Sequence, residues 1–145
     1  MKQVTKQLYR FNKTFYYTDN LYRLVSKKLD IPYSHYLILY LLRSETCLPY
    51  CQKIVEETGE PKQTINSSLK KLEKEGIIEL VKENKLKRIC LTSNGIKYCE
   101  KTIDKIIDAE IDAFNTFNKK DIEQYLKINE QLACKLEKEF NKIDG

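Results

Sequence analysis

EPKQTINSSLKKLEKEGIIELVKENKLKRICLT, residues 60–92, reads as one amphipathic helix followed directly by a two-stranded ribbon. Pro61 suits the first turn of a helix, where its missing N–H has no partner to lose, and Gly76 suits the position just past the end. Between them Ile65, Leu69 and Leu72 recur at i, i+4 and i+7 as a narrow apolar face. Residues 77–82 and 86–91 are β-rich runs joined by Glu83-Asn84-Lys85, and Asn84 tolerates the left-handed backbone that a tight hairpin needs. Ahead of the helix, CQKIVEET (residues 51–58) forms a shorter helical segment with Ile54 and Val55 inward, closed by Gly59. Two helices joined by a tight Gly-containing turn and trailed by a ribbon predict a winged helix-turn-helix.

The polar side of the longer helix carries the chemistry of a major-groove reader. Gln63 and Asn66 offer amides that can bond adenine bidentately, Thr64 and Ser67 can bond bases or phosphates, and Lys62 and Lys70 neutralise phosphate. On the ribbon, Asn84, Lys85, Lys87 and Arg88 are the matching candidates. The net charge of +5 is unevenly spread in a way that agrees. Residues 62–74 carry four Lys against Glu73, and residues 82–88 carry four cations against Glu83. The positive charge thus lies on the two elements a winged helix presents to double-stranded DNA.

Around this lobe the chain is helical. Residues 4–29 read as one long helix with Leu8, Phe11, Phe15, Leu21, Tyr22, Val25 and Leu29 on a broad apolar surface, ended by Ile31-Pro32. SHYLILYLLR, opened by Ser34, is apolar enough on several sides to lie in the core. Residues 93–117 read as one helix presenting Ile96, Cys99, Ile103, Ile106, Ile107 and Phe114, and Asn118 with Asp121 caps a last helix. The terminal helices carry more apolar surface than a small winged helix can cover, which predicts a homodimer. A two-fold dimer in turn matches a pseudo-palindromic operator with half-sites one helical turn apart.

PKQTINSSLKKLEKEGIIEL followed by KRICLTSNGIKY resembles the MarR family of bacterial transcriptional regulators. SHYLILYLL resembles the family's second helix, CQKIVEETG its third, and LTSNG the junction between the wing and a long C-terminal helix. The resemblance covers nearly the whole chain, and it rests on the order and spacing of the pieces. It implies one domain over residues 1–145, with 31–92 as the DNA-binding lobe and 1–30 and 93–145 as dimerisation helices that interlock into a triangular dimer. The wing departs from the family pattern, because Glu83-Asn84-Lys85 stands where an Asp-x-Arg pair is usual and the ribbon is a few residues shorter. The resemblance also implies an effector pocket between the dimerisation helices and the winged helix. Tyrosine has an apolar ring with a polar tip, so Tyr16, Tyr36 and Tyr40, with His35, are candidates for holding a small aromatic effector.

Other chemistries find little material. His35 is the only histidine, and there is no Gly-rich phosphate loop and no Cys-x-x-Cys, so the reading is a non-enzyme with no catalytic residue, metal or cofactor. Five irregularly spaced cysteines, without a signal peptide or long apolar run, predict reduced thiols in the cytoplasm and no membrane attachment. Cys51, at a helix start where partial positive charge lowers a thiol pKa, is a candidate redox sensor. The expected function is a repressor released from its promoter by an effector. The alternatives are a thiol-based redox regulator on the same scaffold and a winged-helix module that binds another protein.

Overall fold

The computed structural model describes residues 2–45 and 47–145. Thr5 Oγ1 accepts from Leu8 N–H at 3.2 Å and opens α1 (Lys6–Lys28), and Pro32 precedes α2 (Tyr33–Ser44). Then come β1 (Cys47–Pro49), α3 (Gln52–Thr58) and α4 (Lys62–Lys74). Gly59 ends α3 in the left-handed conformation, φ 68°, and Gly76 adopts φ 73° just beyond α4, as helix-terminating glycines do. β2 (Ile78–Glu83) and β3 (Leu86–Leu91) follow, joined by a two-residue turn in which Asn84 and Lys85 both have positive φ. That is the hairpin turn whose twist matches its strands. The chain closes with α5 (Ser93–Lys101), α6 (Ile103–Asn115) and α7 (Lys119–Phe140), the last capped by Asn118 Oδ1, which accepts from Asp121 N–H at 2.8 Å.

The chain divides into two compact units, Met1–Ile106 and Ile107–Gly145. In the first, the core is made by Ile38, Leu39 and Leu42 of α2, Leu48 of β1, Ile54 of α3, Ile65, Leu69 and Leu72 of α4, and Ile78 and Ile89 of the wing strands. α1 joins it only at its C-terminal end, where Tyr22 stacks on Tyr36 and Tyr33 Oη donates to Asp19 Oδ1 at 3.3 Å. In the second unit every residue is exposed or half-buried. No helix of the described residues is long and apolar enough to cross a membrane.

Three features differ from the sequence reading. The ribbon, expected as two strands, is a three-stranded antiparallel sheet in the order β1-β3-β2, because residues 47–49 pair with β3. Pro49 is tolerated there since β1 is an edge strand. Residues 93–117 do not form one helix. The break falls at Thr102 (φ −130°, ψ −79°), whose Oγ1 donates to Tyr98 O at 2.6 Å. The thiols are not all reduced either. The β1–β3 register sets Cys47 opposite Cys90, and the two are joined as a disulfide.

Candidate nucleic-acid interface

Residues of α4 sort by angle, at about 100° per residue. Ile65, Ser68, Leu69 and Leu72 are buried against the lobe. The opposite side of the helix carries Gln63, Ser67, Lys70 and Lys74, all exposed, as one ridge. Lys62 and Asn66 lie on the flank toward α3, and with Lys70 they line a groove of about 690 Å³ that also touches Gln52 and Glu56. Asn66 is half-buried, and its Oδ1 is buried without a hydrogen-bond partner. Thr64 lies on the other flank, in a second groove with Ser34, His35 and Lys71, where Ser34 and Ser68 hydroxyls bond at 2.7 Å. Gln63 and Ser67 of the sequence-derived set therefore project outward, Thr64 is exposed on the flank toward α2 in a groove that Gln63 and Ser67 also line, and Asn66 alone is half-buried, toward α3.

The wing adds its own face. Strand alternation puts Ile78, Leu80 and Lys82 on one side of β2, and the register pairs Leu80 with Ile89 and Lys82 with Lys87. Lys82 and Lys87 thus continue, on the exposed end of the hairpin, the face that is buried at its base. Like charges directly opposite one another destabilise a sheet unless an anion lies between them. Lys87 also stands 5.6 Å from the ring centre of Tyr50. Arg88 lies on the other face, opposite Val81, with its guanidinium 3.6 Å from Glu83. Asn84 and Lys85 form the turn itself. The sequence reading did not single out Lys82 or Lys74 as contacts. Lys82 becomes visible only once the strand register is known, whereas Lys74 was legible from helical spacing.

No family model matches the sequence, and no curated protein is significantly similar to it. Solved structures do match. A MarR family regulator from Neisseria meningitidis superposes with a TM-score of 0.84 at 23% identity, covering 95% of this chain and 99% of that one. The chain has the MarR fold. A MarR/EmrR family transcriptional regulator from Acinetobacter sp. ADP1 matches with a TM-score of 0.73 at 20% identity over 93% of this chain and 99% of that one. NadR, solved in complex with 4-hydroxyphenylacetate, matches with a TM-score of 0.65 at 20% identity over 90% and 96%.

Within this MarR fold the candidate effector residues are dispersed. Tyr36 and Tyr40 share one face of α2 and pack edge to face with centroids 5.7 Å apart, in a cluster with Tyr22 and Tyr33. His35 is buried on a different side of α2, beside the groove to α4. Burial holds its imidazole below the ordinary value of 6.5, with Glu75 acting against the shift and Lys71 with it. Tyr16 is exposed on α1. Cys51 caps α3 at φ 62° and is only 4% exposed. Among the described residues no group of three or more His, Cys, Asp or Glu is placed to hold a metal ion.

Proposed function

We propose that this chain is a homodimeric, sequence-specific DNA-binding transcriptional regulator of MarR type that represses by occupying its promoter in the cytoplasm. The observation that carries the reading is the outward ridge of α4, Gln63, Ser67, Lys70 and Lys74, beside the Lys82–Lys87 pair on the wing. Gln63 and Ser67 act as base readers; Lys62, Lys70, Lys74, Lys82, Lys85 and Lys87 hold phosphates, and Asn84 shapes the tip. Asn66, Thr64 and Arg88 act at the margins of this surface. The wing grips the backbone without reading sequence, since a Lys at its tip lacks the planar fork of Arg.

Dimerisation is supported by α1. Leu8, Phe11, Phe15, Tyr22 and Val25 form a stripe at alternating spacings of three and four, with Thr18 completing it, and Val4 and Leu29 flank the helix at its two ends. Its C-terminal end is half-covered within the first unit, but Val4, Leu8, Phe11 and Phe15 remain 70%, 50%, 39% and 60% exposed. A second copy of the chain is the occupant that gives two-fold symmetry and two DNA half-sites. Relief of repression by a small aromatic effector is supported by the tyrosine cluster of α2 and by the 4-hydroxyphenylacetate bound to NadR. The effector acts by favouring a half-site spacing that no longer fits DNA.

Fluorescence anisotropy on a selected site tests the surface. Gln63→Ala lowers affinity by about 1–3 kcal/mol and relaxes preference at one base pair, whereas Lys70→Ala weakens all sequences alike and flattens the salt dependence. If both variants bind like the parent, the surface is misassigned and docking to another protein becomes the better reading.

A further inference from the structure

Cys47 and Cys90 face each other across the β1–β3 ladder with Cα atoms 4.5 Å apart, the spacing of an antiparallel pair that exchanges no backbone hydrogen bonds. The disulfide joins the strands at this position, beside the Leu48–Ile89 pair of the same ladder. Further along, Tyr50 N–H donates to Lys87 O at 3.0 Å. Both cysteines are half-buried and β1 is an edge strand, so a small thiol or disulfide can reach the bond. The other cysteines of this unit are different. Cys51 is 4% exposed, and Cys99 is fully buried, its thiol pushed up to about 11 by burial.

The bond's place in the chain gives it a consequence. Its ends are 43 residues apart, and every proposed DNA contact, from Lys62 to Arg88, lies between them. On one side β1 runs through Tyr50 and Cys51 directly into α3; on the other, Arg88, opposite Pro49, begins the exposed part of the wing. We propose that Cys47 and Cys90 are a redox-active dithiol, exchanging with small-molecule disulfides, whose disulfide form locks the root of the wing to the entry of α3 and binds DNA more tightly than the dithiol. The DNA output rests on the function proposed above; the redox site does not. In a reducing cytoplasm an accessible disulfide is exchanged, not permanent.

The chemistry balances as thiol–disulfide exchange. One cysteine thiolate attacks a sulfur of the small disulfide, breaking its S–S bond, releasing one thiolate and forming a mixed disulfide. The second thiolate attacks the protein sulfur of that mixed disulfide and releases the other small thiolate. The protein gives up two protons and two electrons, and the small disulfide becomes two thiols.

The test equilibrates the full chain in oxidised and reduced glutathione at graded ratios, traps thiols by alkylation and maps them by mass spectrometry. DNA anisotropy and amide hydrogen exchange are read on the same samples. The expected result is a Cys47–Cys90 linked peptide that titrates with the ratio, slower exchange at Leu48, Tyr50 and Ile89 when linked, and affinity about tenfold weaker on reduction, within the usual range for coupled sites. A Cys47→Ala/Cys90→Ala variant, and reduced parent alkylated at both positions, hold the weaker affinity in either buffer. Free thiols at both positions in oxidised glutathione, or equal exchange in the two forms, overturn the lock. Equal affinity of both forms overturns its effect on DNA. If no form binds DNA while linkage and exchange respond as expected, the DNA reading fails and the redox site stands.

Discussion

Gly95 leaves no room for a side chain, since a Cβ there stands 2.0 Å from Ile77 O and 3.2 Å from Leu91 Cδ2. The first turn of α5 lies against the backbone that starts the wing, and Thr92 clasps the joint. Its Oγ1 accepts from Gly95 N–H at 2.9 Å and donates to Gly76 O at 2.5 Å. Gly95→Ala is therefore expected to cost about 3 kcal/mol or more by overpacking. A urea midpoint equal to the parent's would contradict the close approach. His35 gives the lobe a pH dependence. Its folded pKa is lowered, chiefly by burial, so the unfolded chain binds the proton more readily. The stability linked to neutral His35 is complete above about 6.5, its unfolded value, and is lost as pH falls from there through the lower folded pKa. Melting temperature should drop across that window in the parent and drop less in His35→Gln. Identical profiles would show that the imidazole is protonated as easily folded as unfolded.

At the scale of elements, α4 was legible because Pro61 and Gly76 bound it and its apolar spacing is helical throughout. The same periodicity misled further along. Ile96, Cys99, Ile103 and Ile106 keep helical spacing across Thr102, so the break between α5 and α6 leaves no trace in the pattern. β1 was illegible for another reason, being three residues long, ended by proline and defined only by a distant partner strand, with Cys47 and its partner Cys90 43 residues apart. With it went the Cys47–Cys90 bond. The sequence proposes the members of the candidate interface and weighs Asn66 and Gln63 alike; helical spacing sets Asn66 on a flank, and packing toward α3 half-buries it. On the wing, the Lys82–Lys87 pair should trade fold stability for grip on phosphate. Lys82→Ala with Lys87→Ala is expected to raise stability by a few tenths of a kcal/mol, about what a like-charge cross-strand pair costs. The same change should weaken DNA binding on every sequence and make the salt slope shallower by roughly 2. Unaltered affinity would remove the wing from the interface.

For the whole molecule, each of the two units leaves large apolar side chains in solvent. In the first most lie on α1, among them Leu8, Phe15 and Leu24; in the second they include Phe117, Tyr125, Ile128 and Phe140. Exposed apolar surface on this scale marks an interface. A second copy meets the need, and sedimentation equilibrium at micromolar concentration should return twice the 17.2 kDa of one chain. A 17.2 kDa species with full helical signal would leave one reader, one half-site and no reason for a palindrome. The claim that joins α4, the wing and the dimer is that two outward ridges address one DNA site in two-fold register. Sequencing the fragments that the purified protein retains from random double-stranded DNA measures this directly. The account predicts an inverted repeat with half-site centres about 10 base pairs apart, its strongest positions under α4 and weakened by Gln63→Ala. Retained fragments with no shared motif, or a motif indifferent to Gln63, Ser67 and Lys70, would contradict it.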